Sequence, residues 1–408
     1  MFLKKIALSG VVALMGSTAF AGGHGCSVEG NVSILANDFP AMQTISAAAS
    51  TCGDTVSVNL NKDHKDIMVA AITANPAQYS SVVVANSTLV TLMNDDLVRP
   101  LNDLVAKHGG NLQKSQLITV DGNVMAIAFM ANAQHLFSRK DILDQVGADV
   151  PASYEDVLAA AEKIRAAGIM EYPVALNTKT GWNLGEEFVN MYMGTGAPFF
   201  KEGTAEVAIN NEAGIKTLNM LKALVEYSNP DFLTFDSNAT QASWEAGELA
   251  LATMWGSRGG AILDDEGSSA DVVSNTVLSA APTLGGMGVP ASTLWWDGFT
   301  ISKNVSYADA EATFVAMMHG ISDDVIKANN DDAVWLSGAY TPGAASAGVA
   351  ATAAGGANPY PMLPYMGSLH GALGAELSDF LQGNESAEQA LQDIEAAYTA
   401  SAKEKGFL

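Results

Sequence analysis

The sequence predicts an α/β fold in which helices cover both faces of a sheet. Three observations carry this expectation. Strand-like and helix-like runs alternate through the first third of the chain. "NVSILAND" (31–38) and "TVSVNL" (55–60) enclose a helical "AMQTISAAAST", which makes a βαβ unit with parallel neighbours. "YSSVVVANSTLVTLM" is a strand that runs into a helix near Ala85-Asn86.

Ahead of these elements lies a leader. "MFLKKIALSGVVALMGSTAFA" places Lys4 and Lys5 before a short apolar run from Ile6 to Met15, and small residues end at Ala19-Phe20-Ala21. That is the pattern of a secretory signal peptide cleaved after Ala21, so residues 1–21 are excluded from the fold and the rest is exported. Gly23-His24-Gly25 lacks the apolar residue that a lipid-attachment box places before its cysteine, so Cys26 is not read as an anchor. Two cysteines in an exported chain pair. Cys26 precedes the first strand and Cys52 the second, so both reach the same edge of the sheet, and the bond is structural.

The next elements follow the same logic. "LITVDGNVMAIAFM" (117–130) is two apolar runs about an Asp-Gly turn, a hairpin. In "GADVPASYEDVLAAAEKIRAAG" (147–168), Ser153 caps a helix with Asp156 three residues on, and Gly168 ends it. Ser386 and Gln389 make a capping box for a last helix, with Leu391, Ile394 and Tyr398 as its apolar stripe. "GAASAGVAATAAGGANP" (343–359) is either a linker or an Ala-rich helix with a glycine stop.

Ligands of an α/β sheet meet the loops at the carboxyl ends of its strands. Those loops carry Asn37 and Asp38 after the first strand and Asn86 and Ser87 after the third. The same residues also suit helix caps. The net charge is −24, and loss of the leader's two lysines makes it −26. That argues against nucleic acid or an anionic membrane as partner. No G-x-S-x-G, H-E-x-x-H, C-x-x-C, phosphate loop or G-x-G-x-x-G is present. "LGGMGVP" (284–290) lacks the Lys-Ser/Thr of a phosphate cradle, and "LDDEGSS" (263–269) reads as a solvated turn. The histidines are scattered, so no metal and no cofactor are expected, and the pattern leans away from catalysis.

At "LITVDGNVMAIAFMANAQHLFSRKDILDQVGADVPASYEDVLAAAEKIRAAG" the chain resembles the family 1 extracellular solute-binding proteins, the sugar-binding subunits of ABC importers, and the resemblance covers the mature chain from about residue 30 to the end. The family's "G-x-x-Y-x-I/L-P" strand corresponds to Gly122–Ala128, its "L-x-Y-N-K-D" run to Leu136–Asp141, and its "P-x-T-W-x-E" helix start to Pro151–Asp156. Trp244–Gly256 resembles "F-x-x-G-x-A-A-M-x-x-x-W/G", Trp296–Lys303 the late "G-G-x-x-x-x-I-x-K" strand, and Leu381–Leu391 the "L-x-G-x-x-S-A-E-x-A-L" helix. Ala128, Phe137-Ser138 and Pro342-Gly343-Ala344 depart from that pattern.

The resemblance implies a two-lobed, type II periplasmic binding protein fold, monomeric and periplasmic, with a ligand cleft between discontinuous lobes. One lobe is expected from 22–130 and 297–325, and the other from 131–296 and 326–408. Crossings fall near 128–131, 296–299 and 322–328. The partners implied are a small-molecule sugar and the membrane permease of the importer.

A sugar ring packs its C–H face on an indole and needs polar partners around its rim. "STLWWDGFTIS" (292–302) supplies both at a crossing. Side chains alternate along a strand, so the two indoles face opposite ways. Trp296 is read as the plate, Asp297 as a hydroxyl acceptor and Gly298 as a point of close approach. The alternative makes Trp295 the plate, or both indoles packing. Trp255 ends an apolar strand and adds a second plate. Beside it, Arg258 holds a hydroxyl or an anionic group, or pairs with Asp264 or Asp265. The resemblance implies ligand contacts near Trp182, and it places Trp335 and Tyr365 in C-terminal segments that fold over the cleft, as further candidates. Trp244 is read as core. Three other readings stay open: a polyamine or other amine osmolyte, a sugar acid, and an exported glycosidase.

Overall fold

The computed structural model describes residues 26–264 and 266–408. The leader and cleavage site read at 1–21, and Asp265, lie outside the described residues. Strands β1 (Val32–Ala36), β2 (Val56–Leu60) and β3 (Ser81–Ala85) are parallel, and helices Pro40–Ser50, His64–Thr73 and Asn86–Asn94 follow them in turn. The β-branched run "SVVVA" is buried along its whole length, as a strand covered on both faces must be. Strands β4 (Leu117–Val120) and β5 (Asn123–Asn132) form the expected hairpin. Both turn residues, Asp121 and Gly122, have positive φ (48° and 81°), which the tight two-residue turn requires.

After β5 the chain leaves the first sheet at once. Strand β6 (Gln134–Arg139) belongs to a second sheet with β7 (Val174–Ala175), β8 (Leu251–Trp255) and β9 (Thr276–Ser279), in the order β7-β8-β6-β9. The chain then returns. Strand β10 (Thr293–Ile301) inserts between β3 and β5, antiparallel to both, and β11 (Val334–Trp335) pairs with the far side of β5. Strand β12 (Asn358–Pro359) pairs with the start of β10.

Each sheet is sandwiched between apolar layers, and alternation assigns side chains to them. In the first sheet, Ile34, Val83 and Phe299 face one core while Leu35, Val82 and Val84 face the other. In the second, Leu136 and Leu251 face a large core built with the helices Trp182–Met193, Met366–Leu381 and Ala387–Glu404, while Phe137 and Ala252 pack with Trp244 on the opposite face. Trp244 is fully buried, as its place on an apolar helix face suggests.

The disulfide Cys26–Cys52 is present, and the Val28 amide donates to the Cys52 carbonyl beside it. The alanine-rich stretch is a helix, Ala347–Ala354, stopped by Gly355 and Gly356. Ser153 and Asp156 form both arms of the expected capping box. At Ser386 only one arm forms, because the Gln389 amide side chain donates to Asp393 instead of turning back. Ile326, Ala333 and Trp335 sit in the first sheet's core and β11 is tied to β5, so 326–335 stay with the first sheet. A short polar run at 322–328 looks like a connector in sequence, yet its apolar residues find their burial there.

Candidate functional site

The parallel strands of both sheets end toward one zone. Asn37, the 61–63 turn that leads to Lys65, and Asn86 follow β1, β2 and β3, while Trp182 follows β7 and Trp255 closes β8. Antiparallel β10 delivers "WWD" to the same place, because Asp297 lies opposite Ala85, the last residue of β3. Likewise Gln134 lies opposite Trp255, and Asn132 opposite Trp295. Topology, not proximity in sequence, assembles the zone.

Its centre is aromatic. Trp182 and Trp255 stack at 6.2 Å between ring centroids, and Trp295 meets both edge-on, at 5.6 and 5.8 Å. His370 covers one face of Trp182, with ring centroids 4.9 Å apart and 20° between planes. Lys65, from the first-sheet side, places its ammonium 3.8 Å from the Trp182 ring centre. The paired tryptophans divide as alternation requires. Trp295 is buried among the aromatic residues of the second sheet's core. Trp296, on the other face of β10, packs against a first-sheet core cluster, and its backbone N–H donates to Asn86 Oδ1 at 2.9 Å.

Acids lie beneath the aromatics. Glu186 is fully buried on the Trp182–Met193 helix. Its Oε1 accepts from Thr293 Oγ1 at 2.8 Å and from Trp295 Nε1 at 2.9 Å, while Oε2 has no hydrogen-bond partner. Burial pushes its carboxyl up to about 8, against the pull of those two hydrogen bonds and of the Lys65 charge. Glu187 next to it is raised by burial to about 7, and Asn177 and Gln134 limit the rise. Asp297 is raised by burial to about 6 and held back by Lys65. Burial lowers the Lys65 pKa, and Asp297, Glu186 and Asp66 oppose that shift. His370 is fixed as the neutral ring: Nε2–H donates to the Trp182 carbonyl at 2.8 Å, and Nδ1 accepts from the Tyr360 hydroxyl at 2.9 Å. Burial lowers its pKa to about 4.

The residues singled out from sequence fall into three groups. Trp182, Trp255 and Asp297 meet in this zone. Asn86 and Ser87 are at its edge: Asn86 is buried and clamps β10 through the Leu294 carbonyl and the Trp296 amide, and Ser87 Oγ is buried without a partner. Asn37 accepts from the amide of exposed Asp38, and Gln43 donates to Asp38, so neither caps the following helix, which starts at Pro40. Gly298 answers a close backbone approach. A Cβ there would lie 2.6 Å from the Ile127 carbonyl oxygen, at the bulge between β10 and β5.

The third group points elsewhere. Arg258 donates to Gln241 and sits in the field of Asp236 and Glu245, on the far side of the second sheet. Trp335 is core, and its Nε1 donates to the Asn329 carbonyl. Tyr365 donates to the Thr204 carbonyl and packs edge-on against Phe200.

Sequence reasoning did not single out Lys65, Glu186, Glu187 or His370. One signal was available for the acids: "GWNLGEEF" sets two carboxylates inside an apolar helical stripe, which is costly unless the position is used.

Comparison with known proteins agrees with this architecture. The chain superposes on an ABC transporter solute-binding protein of Agrobacterium radiobacter K84 in complex with ribitol, with TM-score 0.79 and 19% identity over 91% of this chain and 98% of that one. For maltose-bound MalE3 of T. maritima the TM-score is 0.78 at 16% identity, covering 91% and 99% of the two chains. For an Agrobacterium vitis S4 solute-binding protein with bound D-mannitol it is 0.77 at 18% identity, covering 93% and 100%. A "Probable sugar-binding periplasmic protein" of Mesorhizobium japonicum is 27% identical over 123 residues, which span 29% of each chain. These structures share the two-lobed type II periplasmic binding protein fold. Residues 61–318, more than half of the chain, match the family described as "Bacterial extracellular solute-binding protein". The chain belongs to that family of bacterial extracellular solute-binding proteins.

Proposed function

We propose that this protein is the exported capture subunit of an ABC importer, that it holds a neutral sugar or polyol unreacted between its lobes, and that it hands the ligand to a membrane permease. One observation carries the reading: Trp182, Trp255 and Trp295 meet Lys65 and Asp297 where the carboxyl ends of both sheets converge. Indole faces suit C–H surfaces. Lys65 and Asp297 supply a donor and an acceptor to hydroxyls that would otherwise be buried unpaired, at about 1–3 kcal/mol each. Ribitol, maltose and mannitol in structures of the same fold support a polyhydroxylated ligand.

In this reading one lobe comprises 26–132 with 293–335, and the other 134–279 with 347–408. Closure bends β5 and β10 near Asn132 and Trp295 and the segment after Trp335. The ligand drives closure only through its extra affinity for the closed form. Titration calorimetry over pentitols, hexitols, hexoses, maltose, polyamines and sugar acids tests the reading. A neutral polyol or sugar is expected to bind with micromolar Kd, about −8 kcal/mol. Binding of an amine or acid alone, or release of a product, would overturn it.

A further inference from the structure

Lys65 stands in an unusual position for a cation. Its ammonium is 3.8 Å from the centre of the Trp182 ring. His370 stacks on the same indole. Trp255 and Trp295 extend the aromatic surface, and the charge of Asp297, with that of Asp66, acts on the ammonium. Indole faces backed by acids form the arrangement that recognises alkylammonium groups. Without Lys65 this zone would be complementary to a free amine.

Lys65 supplies that ammonium from the chain itself. It lies in the first turn of the helix His64–Thr73, which follows β2 after a short turn, so the backbone of the first sheet fixes where its stem begins. A second cation entering here meets an existing one in a partly buried site, where charges are weakly screened. A hydroxyl meets no such repulsion and accepts from the ammonium. Specificity is a difference of affinities, and repulsion of the wrong ligand contributes to it as much as attraction of the right one.

We propose that Lys65 is a specificity-determining residue that rejects ammonium-bearing ligands by occupying the cation position of an aromatic, acidic cage. The proposal rests on the reading of this cleft as the ligand site. Its test compares choline with 3,3-dimethylbutan-1-ol, a neutral molecule of the same shape, by calorimetry on the mature chain. The wild type is expected to bind choline no more tightly than the neutral isostere. Lys65→Met, which keeps the length of the stem, and Lys65→Ala are each expected to bind choline at least tenfold more tightly than the isostere. A wild-type preference for choline, or a cooperatively melting variant without that preference, overturns the proposal. Mannitol is titrated in parallel. Failure of every sugar and polyol on the wild type would sink the transport reading, while the choline comparison would still report on Lys65.

Discussion

At Glu186 the cost of placing a carboxyl inside the protein is visible in a single side chain. One oxygen receives two hydrogen bonds, the other none, and burial raises the group from 4.5 to about 8. Between those two values the folded chain keeps a proton that the unfolded chain has lost. Its share of stability is therefore fully present below about pH 4.5 and falls as pH rises toward 8. The Glu186→Gln variant keeps an oxygen for Thr293 and Trp295 and cannot lose a proton. Its Tm is expected to exceed the wild-type Tm at pH 8, with the gap closing toward pH 5, as calorimetric scans at both pH values would show. His370 works in the other direction, since burial lowers it from 6.5 to about 4 and its contribution fades as pH falls through that interval. On the proposed function, binding rests most on Trp182, the indole shared by Lys65, His370, Trp255 and Trp295. Trp182→Ala is expected to weaken ligand affinity at least tenfold, roughly the 1.4 kcal/mol that one lost stacking surface represents, measured by titration.

At the scale of elements, close approach explains why one alanine-rich segment is ordered. Helix Ala347–Ala354 lies against β6, and a Cβ on Gly348 would sit 2.2 Å from His135 Nδ1. His135 has no room to yield, being fully buried and stacked on Phe137 with centroids 4.5 Å apart. Gly348→Ala is expected to destabilise the protein by about 1–3 kcal/mol, the usual range for overpacking, in denaturant unfolding. A different device secures the first βα unit. The bond between Cys26 and Cys52 spans 26 residues, and closing a loop of that size in the unfolded chain is worth about 3.5 kcal/mol in the chain-entropy model. The double variant Cys26→Ser, Cys52→Ser should lose stability on that order and fold in the same topology, by unfolding and far-ultraviolet dichroism.

Across the whole molecule, two sheets with separate cores are joined through strands that serve both. The start of β10 is tied by Thr293 and Trp295 to Asn190 and Glu186 of the Trp182–Met193 helix, which packs on the second sheet, while Phe299 and Ile301 lie in the first sheet's core. On the proposed function, a strand anchored at both ends carries lobe movement into the zone at its middle, where Asp297 lies in the field of Lys65. Small-angle scattering is therefore expected to report a smaller radius of gyration with a bound sugar or polyol than without one. An unchanged profile at saturating ligand would remove lobe closure from the mechanism.

Local sequence was sufficient for the alternating βα units, the hairpin at Asp121-Gly122, the cap at Ser153 and the pairing of the two cysteines, because each depends on groups a few residues apart or on a count. The family, too, was legible in the order of its motifs along the chain. Which indole of the pair faced which core was not, since alternation says that Trp295 and Trp296 part company without saying toward what. Lys65, Glu186 and His370 were likewise invisible, and Arg258, Trp335 and Tyr365 were drawn into other contacts. Those outcomes depend on which strands become neighbours. The physical reason is that a side chain's charge and ring face acquire a role only from partners brought beside them by packing, often a hundred residues away in sequence.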